Sequence, residues 1–228
     1  RNDIIQYLFY QLVRSLFATT RFDQVIHLAA RAGVRPSLQE PALYQRVNVE
    51  GTTHLLEAAR SQGVKKVTIA SSSSVYGVNA KVPFSEDDDR LLGPTTKSRW
   101  SYSCAKAIDE FLALAYAKEK NQPIVIVRLF NTVGPRQTGQ YGMVVPRFVQ
   151  QALAGKPLTV YGDGSQQRCF GYVGDIVGAQ AIYIVDDGGI AALVTEIWEP
   201  CGILGAGLYV LARWLRPIEA AAYVETYN

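Results

Sequence analysis

Three short apolar segments recur in the first part of the chain, at residues 24–30, 66–70 and 123–128. Continuous apolar runs of this length are typical of buried strands in a parallel sheet. Between them, apolar residues at helical spacing predict helices over residues 43–62 and about 102–118. This alternation of strand and helix predicts an α/β fold with a Rossmann-like parallel sheet flanked by helices.

The pattern changes after residue 141, where the sequence predicts a helix over 144–153, a short strand over 158–161 and a Gly-Asp-Gly turn at 162–164. These elements indicate a small C-terminal substrate lobe. The predicted domains are 1–141 for the partial sheet domain, 142–187 for a partial substrate lobe and 188–228 for a divergent segment without an assigned role.

Composition excludes several classes of protein. With 228 residues, of which 48% are hydrophobic, the chain can bury a substantial core. Its net charge of +3, from 23 basic and 20 acidic residues, argues against a nucleic-acid surface. The three cysteines have no metal-ligand or disulfide spacing, and no apolar run reaches the roughly 20 residues of a membrane span. We therefore expect a cytoplasmic protein with no metal, no nucleic acid and no membrane partner.

Tyr102 and Lys106 are the first candidates for chemistry, because residues four apart share one face of a helix. An ammonium group near a phenol lowers a pKa that is about 10 in free tyrosine, so the tyrosine could act as a base. This spacing also occurs by chance. The serines at 71–74 strengthen the interpretation, since they follow a predicted strand roughly thirty residues earlier and supply hydroxyl groups.

Six motifs occur in order over about residues 22–178. They are HLAA at 27–30, NVEGT at 48–52, SSSSVYG at 71–77, YSCAK at 102–106, RLFNTVGP at 128–135 and YGDGSQQR at 161–168. Together they resemble the extended short-chain dehydrogenase/reductase family of nucleotide-sugar epimerases and dehydratases. The resemblance implies NAD as the cofactor and a UDP-sugar as the substrate.

The resemblance also assigns roles to individual residues. The implied catalytic residues are Ser72, Tyr102 and Lys106. The implied NAD contacts are Ala29, Ala30, Tyr102, Lys106 and Phe130. The implied substrate contacts are Ser73, Ser74, Asn131 and Arg168. An arginine suits a diphosphate, because its planar fork pairs two phosphate oxygens. Asn48 fits either a hydrogen bond in the site or helix packing.

The residues after Ser72 bear on the reaction. Dehydratases of the family have an Asp-Glu pair there and decarboxylases have a glutamate at the second position, whereas this chain has Ser73 and Ser74. The resemblance therefore favours 4-epimerisation of UDP-glucuronate or UDP-glucose, by removal and return of a hydride at C4. Decarboxylation of UDP-glucuronate or 4,6-dehydration stays an alternative, since the context of Tyr102 is also similar to decarboxylases.

The N-terminal part departs from the family. The resemblance implies a Gly-x-x-Gly-x-x-Gly turn that cradles the cofactor pyrophosphate, but residues 1–20 contain no glycine. Asp3 and Ile4 are candidates for an adenine contact. A second hypothesis is therefore a truncated, inactive relative that serves as a binding or assembly module.

The C-terminal segment offers a further pattern. Gly202, Gly205 and Gly207, followed by Glu225, loosely resemble a dinucleotide fingerprint, although an apolar C-terminal helix fits the same residues better. The resemblance also implies a homodimer, formed through the helices predicted over residues 43–62 and 102–118.

Overall fold

The computed structural model describes residues 2–32, 34–81, 83–137, 143–164, 167–182, 192–198 and 205–211. Among these residues, contacts divide the chain into two units. The first unit runs to Arg128 and includes the described residues of the C-terminal segment. The second unit covers Leu129–Tyr183.

Seven helices and seven strands occur in the described residues. The helices are α1 Asn2–Thr19, α2 Val34–Gln39, α3 Pro41–Gln45, α4 Gly51–Ser61, α5 Ser101–Lys120, α6 Val144–Leu153 and α7 Val173–Ile182. The strands are β1 Gln24–His27, β2 Lys66–Ser72, β3 Ile124–Leu129, β4 Asn131–Val133, β5 Phe170–Tyr172, β6 Ala192–Trp198 and β7 Gly205–Leu211. One π-helical turn and two 3₁₀ turns join them at Arg46–Glu50, Ser73–Tyr76 and Ser98–Trp100.

The larger sheet has the strand order β3-β2-β1-β6-β7. β1 is parallel to β2, with Gln24 opposite Lys66, and is also parallel to β6 on its other side. β7 runs antiparallel to β6. The predicted Rossmann-like parallel sheet is therefore confirmed in β1 and β2, and its chain direction brings the ends of both strands, at His27 and Ser72, to one edge.

A hydrophobic core joins the central strands to α1, α4 and α5. Val25 of β1 and Val67 and Ile69 of β2 are fully buried against Leu56 of α4 and Ala113 of α5. Full burial of a valine, leucine or isoleucine side chain stabilises a fold by about 1.5–3 kcal/mol. The three helices thus lie on one face of the sheet, and α5 is anchored where it follows the end of β2.

The helix predicted over residues 43–62 is wrong in part, because a π-helical turn at Arg46–Glu50 separates α3 from α4. Asn48 in this turn is buried, and its side-chain amide bonds to both the backbone N–H and the backbone carbonyl of Arg31. The Arg31 N–H donates to Asn48 Oδ1 over 2.8 Å, and Asn48 Nδ2 donates to the Arg31 carbonyl over 3.1 Å. The wider turn accompanies this pairing, and π turns often mark functional positions.

The strand predicted over residues 158–161 is also wrong. Its backbone bonds to a side chain of α6 instead of to a ladder, since Thr159 N donates to Gln151 Oε1 over 3.1 Å. Gln151 Nε2 in turn donates to the Thr159 hydroxyl over 2.6 Å. The predicted helix 144–153 and the Gly-Asp-Gly turn are both confirmed, with positive φ values of 67° at Gly162 and 78° at Gly164.

The C-terminal pattern lies partly outside the described residues, which omit Gly202 and Glu225. Gly205–Leu211 form strand β7, so the apolar helix predicted there is wrong for these residues. Asp3 and Ile4 lie on helix α1. In the part of the chain that the structure describes, no helix combines the length and apolar character needed to cross a membrane.

Candidate active site

The candidate site forms where β2 ends and α5 begins. β2 continues through Ser71 and Ser72 and passes into the 3₁₀ turn Ser73–Tyr76, which ends at Gly77. Gly77 has a φ of 73°, and a Cβ there would lie 2.1 Å from the Leu91 carbonyl oxygen. Only glycine fits this close approach, so the end of the serine loop is defined by backbone sterics.

Ser72 lies close enough to Tyr102 for its hydroxyl to lower the pKa of the Tyr102 phenol. The Ser72 Oγ atom accepts hydrogen bonds from Ser74 N over 3.2 Å and from Ser74 Oγ over 3.0 Å. Its own proton is therefore available for Tyr102, whose pKa a hydrogen bond from Ser72 lowers. The structure therefore brings together two of the three residues expected to act in catalysis.

The Tyr102 phenol has a raised pKa in this structure. Burial of the ring is the largest cause, and the charge on Asp109 and the Tyr44 phenol add to it. The hydrogen bond from Ser72 acts in the opposite direction and lowers the pKa. The prediction that Lys106 lowers the Tyr102 pKa below its ordinary value is therefore wrong. The pKa is raised instead, because burial of the ring outweighs the hydrogen bond from Ser72.

Lys106 lies next to the site, with only 3% of its surface exposed. Its Nζ donates to the Ala70 carbonyl over 3.0 Å and to Asp109 Oδ2 over 3.2 Å. A buried ammonium needs partners of this kind to offset its loss of hydration. Lys106 is thus held at the end of β2 by one backbone oxygen and one carboxylate.

A buried polar cluster extends from Lys106 into the sheet. Asp109 is fully buried, and this burial raises its pKa to about 6 although Lys106 opposes the shift. His27, at the end of β1, contacts the Thr52 hydroxyl with its Nε2 over 3.0 Å. Burial, with a smaller effect from Lys106, lowers the His27 pKa to about 3. His27 is therefore neutral at pH 7.

The small residues expected to contact NAD follow β1 directly. Ala29 is buried and Ala30 is half-buried. The next residue, Arg31, is the one whose backbone is held by Asn48, and its guanidinium pairs with Glu40 over 3.0 Å. Asn48 thus shapes the loop at the end of β1, a structural role that the sequence left open.

The remaining predicted site residues belong to the second unit. Phe130 and Asn131 stand at the start of β4, which pairs in parallel with β5 so that Asn131 is opposite Phe170. Asn131 Nδ2 donates to the Cys169 carbonyl over 2.9 Å. Arg168 is exposed and its Nη1 donates to the carbonyl of the neighbouring Gln167 over 2.6 Å. Within this unit, the structure brings Phe130 and Asn131 close to the segment that contains Arg168.

Sequence reasoning missed three polar residues of α5 that lie at the site. Ser103 Oγ donates to the Ser74 carbonyl over 2.7 Å, Asp109 pairs with Lys106, and Glu110 accepts a short hydrogen bond from Ser71 Oγ. Their spacing from Tyr102 and Lys106 on one helix was a usable signal. Among the described residues, no group of three His, Cys, Asp or Glu side chains could hold a metal ion.

The sequence model of the NAD dependent epimerase/dehydratase family matches residues 6–189. The chain belongs to this family. The resemblance drawn from the six motifs is therefore confirmed at the level of the family. The Ser72, Tyr102 and Lys106 cluster lies within the matched residues, at the edge of the sheet where ligands of α/β folds bind.

Two curated relatives name different reactions. The chain is 50% identical over 158 residues to the UDP-N-acetyl-alpha-D-glucosaminuronate decarboxylase of Bacillus cytotoxicus. This match covers 69% of the present chain and 48% of the relative. The chain is 39% identical over 169 residues to the UDP-glucuronate 4-epimerase of Thermodesulfobacterium geofontis, covering 73% and 49%. The chain thus spans about half the length of these relatives.

A solved structure supports the fold. The UDP-glucuronic acid 4-epimerase of Bacillus cereus, in complex with UDP-glucuronic acid and NAD, superposes with a TM-score of 0.66 at 34% identity. The match covers 81% of this chain and 55% of that one. The family and the Rossmann-like fold are therefore established, whereas epimerisation and decarboxylation both occur among similar proteins.

Proposed function

We propose that this chain contains the catalytic part of an NAD-dependent enzyme that epimerises a UDP-sugar at C4, with UDP-glucuronate or UDP-glucose as substrate. The Ser72 hydroxyl, held by two hydrogen bonds from Ser74 at the end of β2, and the buried Lys106, held at the same strand end, support the proposal most strongly. A phenol and a hydroxyl that share one hydrogen bond can both bind the same substrate oxygen. Ser73 and Ser74 offer no carboxylate for elimination, which also favours epimerisation.

Tyr102 would take the proton of the C4 hydroxyl at its phenol oxygen and return it when the C4 oxygen is protonated again. Ser72 would donate its proton in a hydrogen bond to the same oxygen, which favours the phenolate form of Tyr102. Lys106 would supply positive charge beside them. General acid–base catalysis of this kind contributes typically about 10²- to 10⁴-fold to a rate.

The residues at the end of the sheet fit the nicotinamide half of NAD. Ala29 and Ala30 leave room for a close approach at the end of β1, and the Lys106 ammonium lies at the end of β2, where it could bind ribose hydroxyls. Tyr102 is a further proposed contact in the first unit. Phe130, in the second unit, is proposed as an NAD contact from its sequence motif alone. NAD, when bound, would supply the hydride acceptor for C4. Helix α1 leads into β1, so the glycine turn expected for the pyrophosphate is absent from the described residues before β1.

The proposed substrate contacts are Ser73 and Ser74 for the sugar and Asn131 and Arg168 for the diphosphate. Arg168 is exposed, and its guanidinium can offer two parallel N–H groups to phosphate oxygens. Asn131 lies in the same small sheet as the segment after Arg168, which supports a joint role.

Decarboxylation is the second candidate, favoured by the 50% identity to a decarboxylase. Removal of a hydride from C4 of a UDP-uronate, together with the proton of its C4 hydroxyl, produces a 4-keto sugar whose carboxylate is β to the ketone. Such acids lose carbon dioxide readily, so both reactions share the step at C4. The identity of the product separates them.

To test the proposal, the purified chain is incubated with NAD and, in separate reactions, with UDP-glucuronate, UDP-glucose or UDP-N-acetylglucosaminuronate. The products are identified by NMR. Tyr102→Phe should lower turnover at least about 100-fold, the lower limit expected for an acid–base group. Tyr116→Phe is the matched control, because Tyr116 lies on the same helix but binds Glu57 on α4. Retention of most activity by Tyr102→Phe contradicts the proposal. Absence of NAD binding favours the binding or assembly module.

A homodimer is part of the proposal. On α5, Ile108, Phe111 and Leu114 are 39%, 63% and 57% exposed, an unusual apolar stripe for a helix surface. The exposed residues of the neighbouring α4, among them Glu57 and Arg60, are polar. A second copy of the same two helices would cover the stripe in a four-helix arrangement.

Phe111→Asp should convert a dimer into a monomer in sedimentation velocity, since it places a charge at the centre of the stripe. Leu153→Asp is the control, because Leu153 is an exposed apolar residue of the second unit. A wild-type monomer at micromolar concentration, or a dimer that persists in Phe111→Asp, contradicts this interface.

A further inference from the structure

Helix α5 forms hydrogen bonds with three residues of the segment 70–74, each through a different side chain. Lys106 binds the Ala70 carbonyl over 3.0 Å, and Glu110 accepts a hydrogen bond from Ser71 Oγ. Ser103 Oγ donates to the Ser74 carbonyl over 2.7 Å. Between them, the Ser72 hydroxyl lowers the pKa of Tyr102 on the same helix. One helix thus holds the end of β2 both before and after Ser72.

Glu110 is itself held in place. Arg128 donates from Nε to Glu110 Oε1 over 3.0 Å and from Nη2 to Oε2 over 2.8 Å, a two-point pairing. The same guanidinium donates from Nη1 to the Glu86 carbonyl over 3.0 Å and lies 4.7 Å from the centre of the Tyr76 ring. Both side chains of the pair are largely buried. Glu110 therefore has little freedom to turn away from Ser71.

Ser103 acts on the other side of Ser72. Its hydrogen bond locates the Ser74 backbone, and Ser74 N and Oγ are the two donors to Ser72 Oγ. With both acceptor positions of Ser72 Oγ occupied, its single proton can be directed to Tyr102. The orientation of the Ser72 hydroxyl therefore depends on the position of Ser74.

We propose that Ser103 and Glu110 are positioning residues, which hold Ser72 from its two sides so that its hydroxyl donates to Tyr102. The inference rests on the proposed function, in which Ser72 and Tyr102 act on one substrate oxygen. Neither Ser103 nor Glu110 contacts the substrate in this proposal. Both act through Ser72.

The ionisation of Tyr102 in the ligand-free chain reports on this arrangement. Because the Ser72 hydrogen bond lowers the Tyr102 pKa, any variant that moves Ser72 away should raise it. Substitution of the tyrosines by 3-fluorotyrosine gives each phenol a fluorine signal and shifts ionisation to lower pH. The Tyr102 signal is identified by its absence in Tyr102→Phe.

We expect Ser103→Ala to raise the Tyr102 pKa in the same direction as Ser72→Ala. In the Ser72→Ala background, Ser103→Ala should add no further shift, since it acts through a hydroxyl that is already absent. Ser103→Thr should restore the wild-type value because it returns the hydroxyl. Glu110→Gln should raise the pKa too, although removal of a negative charge alone would lower it.

Glu57→Gln is the matched control for Glu110→Gln, because Glu57 is an acid of α4 whose carboxylate pairs with Tyr116 and Arg60. It should leave the Tyr102 titration unchanged. If Ser103→Ala and Glu110→Gln destabilise the chain but keep the wild-type Tyr102 titration, their roles are structural and the proposal is wrong. If Glu110→Gln does not fold, Ser103→Ala and its rescue decide.

Failure of this proposal is distinguishable from failure of the proposed function. The titration needs neither NAD nor a UDP-sugar, so it can succeed in a chain that shows no turnover. Conversely, an active wild type whose Tyr102 titration ignores Ser103 would retain the function and lose the inference.

Discussion

The buried histidine of β1 gives a quantitative prediction for acid stability. His27 has a pKa of about 3 in the folded chain, against 6.5 when exposed, because burial and the nearby Lys106 charge disfavour its protonated form. Between these values the unfolded chain binds a proton that the folded chain does not, so stability falls as the pH falls from 6.5 towards 3. Each pH unit well inside this window corresponds to about 1.4 kcal/mol.

From pH 7 to pH 5, the His27 contribution amounts to a loss of about 2 kcal/mol in the free energy of unfolding. His27→Gln should abolish this loss, because glutamine can still bond to Thr52 but does not titrate. Urea unfolding of both proteins at the two pH values measures the difference, in which contributions common to both cancel.

His54→Gln is the control for the removal of one histidine, and it should retain the wild-type dependence on pH. His54 is half-buried on α4, and its ring packs at an angle of 47° to the Tyr10 ring with ring centres 4.4 Å apart. If His27→Gln loses stability between pH 7 and pH 5 as steeply as the wild type, then His27 is protonated in the folded chain and the reasoning is refuted.

Two further substitutions test the same region of the fold. Asp109 has its folded pKa raised from 3.8 to about 6, so this carboxyl alone contributes a loss of up to about 3 kcal/mol as the pH rises across that window, opposite in sign to the His27 contribution. In urea titrations, the difference between the wild type and Asp109→Asn should change by this amount over the window. An equal loss in the variant would show that the carboxyl is not desolvated. Gly77→Ala should lower the unfolding midpoint far more than Gly155→Ala. Both have positive φ, but only at Gly77 would the new Cβ meet a carbonyl oxygen, whereas Gly155 has open space. Equal effects would mean that the Leu91 contact is dispensable.

The order of strands and helices followed from the sequence because periodicity reports burial. Continuous apolar runs marked β1 and β2 to within a few residues, since buried parallel strands have no exposed face, and a similar run marked the half-buried β3. The same reasoning missed the π turn at Arg46–Glu50, which accompanies a side-chain contact with Arg31 seventeen positions away. The prediction of a strand over residues 158–161 failed for a similar reason. The Gln151 side chain accepts the hydrogen bond from the Thr159 N–H that a neighbouring strand would otherwise have accepted.

The candidate site was predictable where motifs place residues on one helix face, as for Tyr102 and Lys106. The sequence did not reveal which carboxylate balances the positive charge of the Lys106 ammonium. Spacing identified a possible pair but could not show that Asp109 binds the ammonium or that burial raises the Tyr102 pKa. These effects depend on desolvation, which is a property of the packed structure.

The central claim is that the site removes a hydride from C4 of a UDP-sugar and returns it to the same carbon. UDP-glucuronate with deuterium at C4, incubated with the chain and NAD in ordinary water, tests it directly. We predict a product that retains the deuterium at C4 and an initial rate below that of the unlabelled substrate. A product with hydrogen from water at C4, or no product with any of the three UDP-sugars in the presence of NAD, would contradict the claim.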